Sequence, residues 1–435
     1  MVKEPETSPV PPETSSRPRT GLASNVRWTF LASAAYALCQ WLTLAVVAKV
    51  LNAAAVGVFA TGLAASALIY SLTSLSLRTV LSADAVRKYR FRDYAFVRVW
   101  TNVAGAVIAA SALVAGRFYD TEGTVVILLV VFARFWDSLS DLYYGLWQRE
   151  DQLRWIPMSR AALGLAQTIS FGIVLVATKS LVVATAAFAV ASVAINVGFD
   201  ARITRQVLQV GRAGVAWLFD FSSQRMEPAK VLLRSTASLG VVAALDSINA
   251  NLPRLMLNQA GTAAVGFYST LASLMMVGGV AISAIGNAAS NRLGAYYAKD
   301  RRAFFRLLIR LSGIAGLVGL VCVAGSALVG EPVLRVLFTA EFAKYHRELV
   351  VMMVAATLWY VATVCSFAMT SAGIYKPQLM IVGSCAAATI ATAAVLIPKM
   401  GVMAACVALL VGMALRLALT LAVLWRYNLA AQQTV

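Results

Sequence analysis

The feature that most constrains this chain is a succession of apolar runs, each near the length of a membrane-crossing helix and each poor in charge. A helix needs about 20 residues to cross roughly 30 Å of hydrocarbon. Hydrophobic residues fill 60% of the 435 positions, against about 45–50% in soluble domains. Segments apolar on every side cannot all hide in a water-soluble core, and the mean hydropathy is +0.76. The expected fold is therefore an all-α polytopic membrane protein.

Twelve spans are expected, from about 28–51 at one end to about 401–426 at the other, with boundaries good to a few residues. The net charge of +18 does not point to nucleic acid, because Lys and Arg cluster in alternate short connections and not on one continuous surface. Arg87, Lys88, Arg90 and Arg92 form one such cluster, and Lys299, Arg301, Arg302 and Arg306 another. By the positive-inside rule these face the cytoplasm, which places both termini inside. Residues 1–26, rich in Pro, Ser, Thr and Glu, read as a disordered cytoplasmic tail, and the first apolar run is too long for a cleaved signal peptide. Residues 27–200 form an N-terminal six-helix lobe, 201–232 a cytoplasmic linker, 233–426 a C-terminal six-helix lobe and 427–435 a short cytoplasmic tail. The linker has an amphipathic stretch at Val215 to Phe221, suited to lying on the membrane surface. The longest outer loop, about 331–347, carries charges of both signs, and no appended soluble domain is expected.

The halves repeat. Ala55-Val56-Gly57-Val58-Phe59-Ala60-Thr61 opens span 2, and Ala264-Val265-Gly266-Phe267-Tyr268-Ser269-Thr270 opens span 8; each follows a Leu-Asn pair, Leu51-Asn52 and Leu257-Asn258. Copies six spans apart have the same orientation, so their symmetry axis should run along the membrane normal.

Span 4 carries the densest polar stripe. Arg134, Asp137, Ser138, Asp141, Gly145 and Gln148 recur at three-and-four spacing and share one helix face. Ionisable groups at membrane depth either line water or stitch helices together. One Arg against two Asp leaves a carboxylate over, which favours the cavity reading. On span 7, Ser247, Asn251, Arg254 and Asn258 share a face, with Asn249 nearby, and Pro253 should bend the helix near its outer end, as a gate would. The bland reading is a snorkelling Arg254 and asparagines that glue helices. Ser33, Tyr36 and Gln40 on span 1, Ser283 and Asn287 on span 8, and Arg416 in span 12 add smaller polar contributions. Arg416, unpaired in the sequence pattern at that depth, needs an anion or water. Asp137, Asp141 and Asp246 are the candidates for coupling to a proton or sodium gradient. No catalytic constellation, metal site or cofactor motif is present: the five cysteines lie inside spans and read as packing residues, and His346 is the sole histidine.

Span 4, Asp137-Ser138-Leu139-Ser140-Asp141-Leu142-Tyr143-Tyr144-Gly145-Leu146-Trp147-Gln148-Arg149, and Asn249-Ala250-Asn251-Leu252-Pro253-Arg254 with Ala264-Val265-Gly266-Phe267-Tyr268 resemble the bacterial polysaccharide transporter family. These are the O-antigen-type flippases of the multidrug/oligosaccharidyl-lipid/polysaccharide exporter superfamily, whose span 4 ends in Gly-x-x-Gln-Arg. The likeness covers residues 25–426. It implies two pseudo-symmetric six-helix lobes around a central cavity with alternating access in a bacterial inner membrane, and a cargo of polyprenyl-pyrophosphate-linked oligosaccharide flipped outward for O-antigen, capsule or exopolysaccharide synthesis. It also implies contact with membrane lipids and other polysaccharide-assembly proteins. Arg134, Arg254 and Arg416 would then meet the pyrophosphate, with Gln40, Asn249, Asn251 and Asn287 along the cavity. Alternatives are a multidrug or other amphiphile exporter of the same superfamily, or a membrane enzyme of polysaccharide assembly.

Overall fold

The computed structural model describes residues 22–84, 87, 89–209, 223–374 and 376–432. The N-terminal half contains α1 (Leu22–Val50), α2 (Ala53–Thr73), a short α3 (Leu77–Ala83), α4 (Phe91–Gly116), α5 (Thr121–Arg149), α6 (Trp155–Thr178) and α7 (Leu181–Ile195), which continues through a π-helical turn at Asn196–Asp200 into α8 (Ala201–Leu208). The C-terminal half contains α9 (Ser223–Met256), α10 (Thr262–Lys299), α11 (Arg301–Leu337), a single turn α12 (Ala340–Ala343), α13 (His346–Ser371), α14 (Lys376–Met400) and α15 (Val402–Gln432). Among the described residues, twelve long helical rods therefore stand where twelve spans were expected. Ten are long and apolar enough to cross a membrane by length and composition, eleven with the bent α9; α5, which bears the polar stripe, is not among them.

Local chemistry starts these helices where the sequence turns. Asn52 accepts the Ala55 amide at 2.9 Å, Asp120 the Gly123 amide at 3.0 Å and Asp300 the Ala303 amide at 3.0 Å, each satisfying a donor that a helix start leaves free. Outward faces are apolar: Ile108, Ile173, Leu317, Leu320 and Leu328 are all more than half exposed. Such surfaces belong in lipid.

Packing within the two halves is the same. In the first, α1 packs on α6, α6 on α7, α7 on α5, and α5 on both α2 and α4. Six spans later, α9 packs on α14, α14 on α15, α15 on α13, and α13 on both α10 and α11. Between the lobes α2 meets α10, its own repeat mate; α1 meets α10, and correspondingly α9 meets α2. This is the two-lobe, pseudo-twofold arrangement.

Several sequence expectations need correction. Helix α1 opens at Leu22, inside the segment read as tail, and α15 extends to Gln432; residues 1–21 and 433–435 are outside the described part. The linker is shorter than 201–232, because α8 prolongs the sixth span and α9 begins at Ser223; the amphipathic stretch at Val215 to Phe221 lies outside the described residues. The outer loop 331–347 is mostly helical. Helix α11 bends at Val329 (φ −127°, ψ 15°) and runs on through Pro332 to Leu337, with Arg335 donating to Glu331 at 2.9 Å one turn away. Pro253 does not break α9, which continues past it into a 3-10 turn at Leu257–Ala260. The helix bends by 48° at Ser238 instead. There the reason is visible: a Cβ on Gly240 would lie 2.8 Å from the Leu72 carbonyl oxygen of α2, so the helix is drawn against the other lobe at a Ser-Leu-Gly sequence that resists bending weakly.

Candidate functional site

A cavity of about 720 Å³ lies between the lobes. Its walls come from α1 (Ser33, Tyr36, Gln40), α2 (Ser66, Tyr70), α4 (Arg98), α5 (Arg134, Asp137, Ser138, Asp141), α6 (Arg160), α9 (Asn251, Arg254) and α10 (Ser273 to Val280). It sits on the basic side of a seam that joins the lobes at the other end. In that seam the outer ends of α2 and α10 touch at Gly57 and Gly266, and Trp41 of α1 meets Phe338 edge-on, ring centres 6.0 Å apart.

The wall on α5 holds two separate charge networks. In the first, Arg134 donates to the Tyr36 hydroxyl at 2.8 Å, to Gln40 Oε1 at 2.8 Å and to Asp137 at 2.9 Å. Gln167 of α6 donates to both Asp137 oxygens, at 3.2 and 3.3 Å, and to Ser192 of α7 at 2.7 Å. The stripe is thus both lining and stitch: it faces the cavity and ties α1, α5, α6 and α7 together.

In the second network Asp141 accepts from Arg78 of α3 at 2.9 Å and from Arg98 of α4 at 3.3 Å. The carboxylate that looked surplus therefore has two guanidinium partners. Gly145 makes this possible. A Cβ there would lie 2.8 Å from the Arg78 carbonyl oxygen, so only glycine lets α3 approach closely enough for Arg78 to reach Asp141. Asn102 of α4 donates to Ser138 at 2.9 Å and accepts from Thr73 at 2.9 Å, bracing the same wall.

Two arginines of the cavity have no ion pair among the described residues. Arg254, from the C-terminal lobe, has its Nε buried without a hydrogen-bond partner. Arg160, from the N-terminal lobe, is half-buried. Unpaired guanidinium groups at such depth are costly unless an anion or water meets them.

Of the residues singled out in the sequence, Gln40, Arg134, Asp137, Asp141, Asn251 and Arg254 come together in this cavity. Asn249 does not join them. It is buried in the C-terminal lobe, where it donates to Cys385 Sγ at 3.1 Å and accepts from Thr389 at 3.2 Å, with Cys385 donating to the Gly412 carbonyl at 3.0 Å. Arg416 stands outside the lining and forms no ion pair among the described residues. Asn287 is exposed on α10, and Pro253 is buried away from the lining. Sequence reasoning missed Arg78, Arg98, Arg160, Tyr70 and Gln167. Arg98 and Arg160 sit near helix starts, where a basic residue reads as an ordinary cytoplasmic charge.

No family model matches the chain. It is 23% identical over 334 residues to the capsular polysaccharide biosynthesis protein CapF of Staphylococcus aureus, covering 76% of this chain and 81% of that protein. Among solved structures, a multidrug resistance MATE family transporter of the MOP superfamily, in an inward-facing conformation, aligns with a TM-score of 0.70 at 13% identity, over 94% of this chain and 96% of that one. The lipid II flippase MurJ, in an inward closed conformation, aligns with a TM-score of 0.71 at 10% identity, over 91% and 87%. The chain has the fold of MOP-superfamily transporters. The near-equal scores mean that the fold does not separate a drug-exporter relationship from a lipid-flippase one.

Proposed function

We propose that this transporter fold serves as an alternating-access flippase, carrying a polyprenyl-pyrophosphate-linked oligosaccharide from the cytoplasmic to the outer leaflet of a bacterial inner membrane for cell-surface polysaccharide synthesis. The observation that carries the reading is the charge of the cavity: Arg98, Arg134, Arg160 and Arg254 against Asp137 and Asp141. Both aspartates are committed to guanidinium partners, whereas Arg160 and Arg254 are not. What remains for a cargo is positive charge.

The chemistry follows from that surplus. A guanidinium presents a planar fork of donors that matches phosphate oxygens. Arg160 belongs to one lobe and Arg254 to the other, so an anion held by both draws the lobes together around itself. The serine, tyrosine and asparagine groups of the lining offer hydrogen bonds to sugar hydroxyls, while the isoprenoid tail stays in lipid. The resemblance of the sequence motifs and the similarity to CapF support the glycan part of the cargo. Membrane lipids and other polysaccharide-assembly proteins are its expected partners. A drug exporter for cations needs free acidic groups in the cavity, and the two acids here are already neutralised by arginines.

The test is translocation of a labelled polyprenyl-pyrophosphate oligosaccharide by the purified chain in inside-out vesicles. Protection of the label from an added glycosidase, lost in Arg254→Gln, is the expected result. Equal transport of the pyrophosphate-linked lipid and an uncharged lipid-linked glycan overturns the anionic-head reading.

A further inference from the structure

A second cavity, of about 350 Å³, lies between α4 and α5 of the N-terminal lobe. Ala106, Val107 and Ala110 of α4 form one wall, Leu128 and Phe132 of α5 the other, and Tyr70 of α2 joins them. Val107 is 58% exposed and Phe132 49%, so this bay opens on the face that the fold turns to lipid.

The space follows from the sequence of α4. On one side of it, Thr101 donates to the Thr73 carbonyl of α2 at 2.8 Å. One turn on, α4 lies so near α2 that a Cβ on Gly105 would stand 2.7 Å from Ile69 and Thr73. On the other side, Leu113 and Tyr119 pack on the cluster of Tyr70, Ile127 and Val131, and Tyr119 donates to Thr61 at 3.3 Å. Between these anchors α4 turns Ala106 and Ala110, one turn apart, toward α5. Alanines are too short to fill the gap that the anchors set, and the close packing usual between helices is missing there.

Nothing polar is left in the bay to recognise a polar ligand. Its single polar side chain is Tyr70, whose hydroxyl already donates to the Val131 carbonyl at 2.8 Å. Both walls belong to membrane-depth helices, so the occupant is an apolar chain. Tyr70 also lines the central cavity, and one side chain therefore stands between the two spaces. A lipid-linked cargo with its head in that cavity needs such a neighbour, because its tail has to remain on the lipid side. An isoprenoid chain carries a methyl branch on every unit, lateral bulk that fits the notches above paired alanines better than a straight acyl chain does. Lipid is as apolar as the bay, so the hydrophobic effect gives no preference between them. What favours the bay is close packing against its walls and, for a tail joined to a bound head, high effective concentration.

We propose that the bay between α4 and α5 is the binding site for the isoprenoid tail of the cargo, with Tyr70 the partition between tail and head. The identity of the tail rests on the flippase reading above. Release of the Tyr70 hydroxyl from Val131 joins the two spaces.

The experiment uses the full-length chain in lipid nanodiscs and a photoreactive polyprenol, a long isoprenoid alcohol with a diazirine on its chain and no charged head. Irradiation should place its adducts on residues 103–110 and 128–135. A diacyl phosphatidylcholine carrying the same group should label those stretches no more than the exposed face of α11. The double variant Ala106→Leu and Ala110→Leu, which adds bulk into the bay, should cut the polyprenol adducts there by about tenfold. If that variant fails to accumulate, the comparison of the two probes on the wild type decides. Polyprenol adducts spread equally over α11, equal labelling of the bay by both probes, or a yield that the double variant leaves unchanged overturns the site. So does an absence of adducts in the bay, as a second copy of the chain covering it would give. Polyprenyl pyrophosphate with the same diazirine should label the bay at lower concentration than the alcohol. An equal concentration dependence overturns the flippase reading, while specific polyprenol adducts still support the bay.

Discussion

Gly57 and Gly266, equivalent positions of the two halves, meet where α2 crosses α10, each packed so tightly on the other helix's backbone that neither has room for a Cβ. A Cβ on Gly57 would strike the Thr262 carbonyl, and one on Gly266 the Ala53 carbonyl. The contact is reciprocal between repeat mates and ties one lobe to the other, so it has to part if the lobes separate at that end. Gly57→Val penalises only the closed seam, by about 1–3 kcal/mol as overpacking usually does. The expected outcome is a shift toward the state open at that end. Ala53→Cys, introduced with the native cysteines replaced, reports it as severalfold faster labelling by a membrane-impermeant maleimide; an unchanged rate contradicts the seam.

Arg254 offers a test in which stability and transport move in different directions. Arg254→Gln removes a charge-assisted contact to a phosphate, worth about 1.5–3 kcal/mol, and should lower cargo affinity by ~10–100-fold. Because the free protein gives Arg254 no ion pair, its loss leaves the unfolding midpoint unchanged or higher. Arg254→Lys keeps the charge without the fork and should recover part of the affinity. Vesicle translocation and thermal unfolding on the same preparations check both.

Asp141→Asn should do the reverse. It strands Arg98, whose side chain is only 1% exposed, without its carboxylate. Breaking a buried pair by removing one partner costs about 3 kcal/mol or more. Lower yield of folded protein and a lower midpoint are expected, partly restored by adding Arg98→Met. A double variant no more stable than Asp141→Asn alone would contradict the pairing.

Asn249→Ala separates packing from binding. The side chain joins α9 to α14 through Cys385 and Thr389, so its removal costs stability by about 1–2 kcal/mol. Cargo affinity should be unaffected, since the residue is off the cavity. A tenfold fall in affinity with unchanged stability would place it in the binding surface after all.

Architecture was readable from sequence because lipid imposes it. Run length gave the long helices, and the Ala-Val-Gly repeat gave the symmetry, down to the glycines that meet between the lobes. Position along a helix gave the face of Arg134, Asp137 and Asp141 correctly. It could not give the partners, because Arg78 and Arg98 reach Asp141 from other helices and depend on Gly145 for the approach. The same limit explains Asn249: helix spacing placed it near the polar face of its span, but only the packing of α14 shows that Cys385 and Thr389 are what it faces. Pro253 misled because a proline near a helix end can be absorbed by a terminal 3-10 turn, whereas the bend at Ser238 comes from contact with the other lobe.

The bend in α9 bears on how the protein is made. Its first turns, with Ala229 and Leu232, complete a buried cluster with Leu75, Leu77, Leu81 and Tyr94 of the N-terminal half, while its last turns belong to the other lobe. Synthesis runs from the N-terminus, and domains ordinarily fold as they emerge. Here the first six spans enter the bilayer with that apolar patch uncovered, and it stays so until α9 leaves the ribosome. A chain halted before α9 would be a target for insertion chaperones and quality-control proteases, and co-expressing the missing half would rescue it.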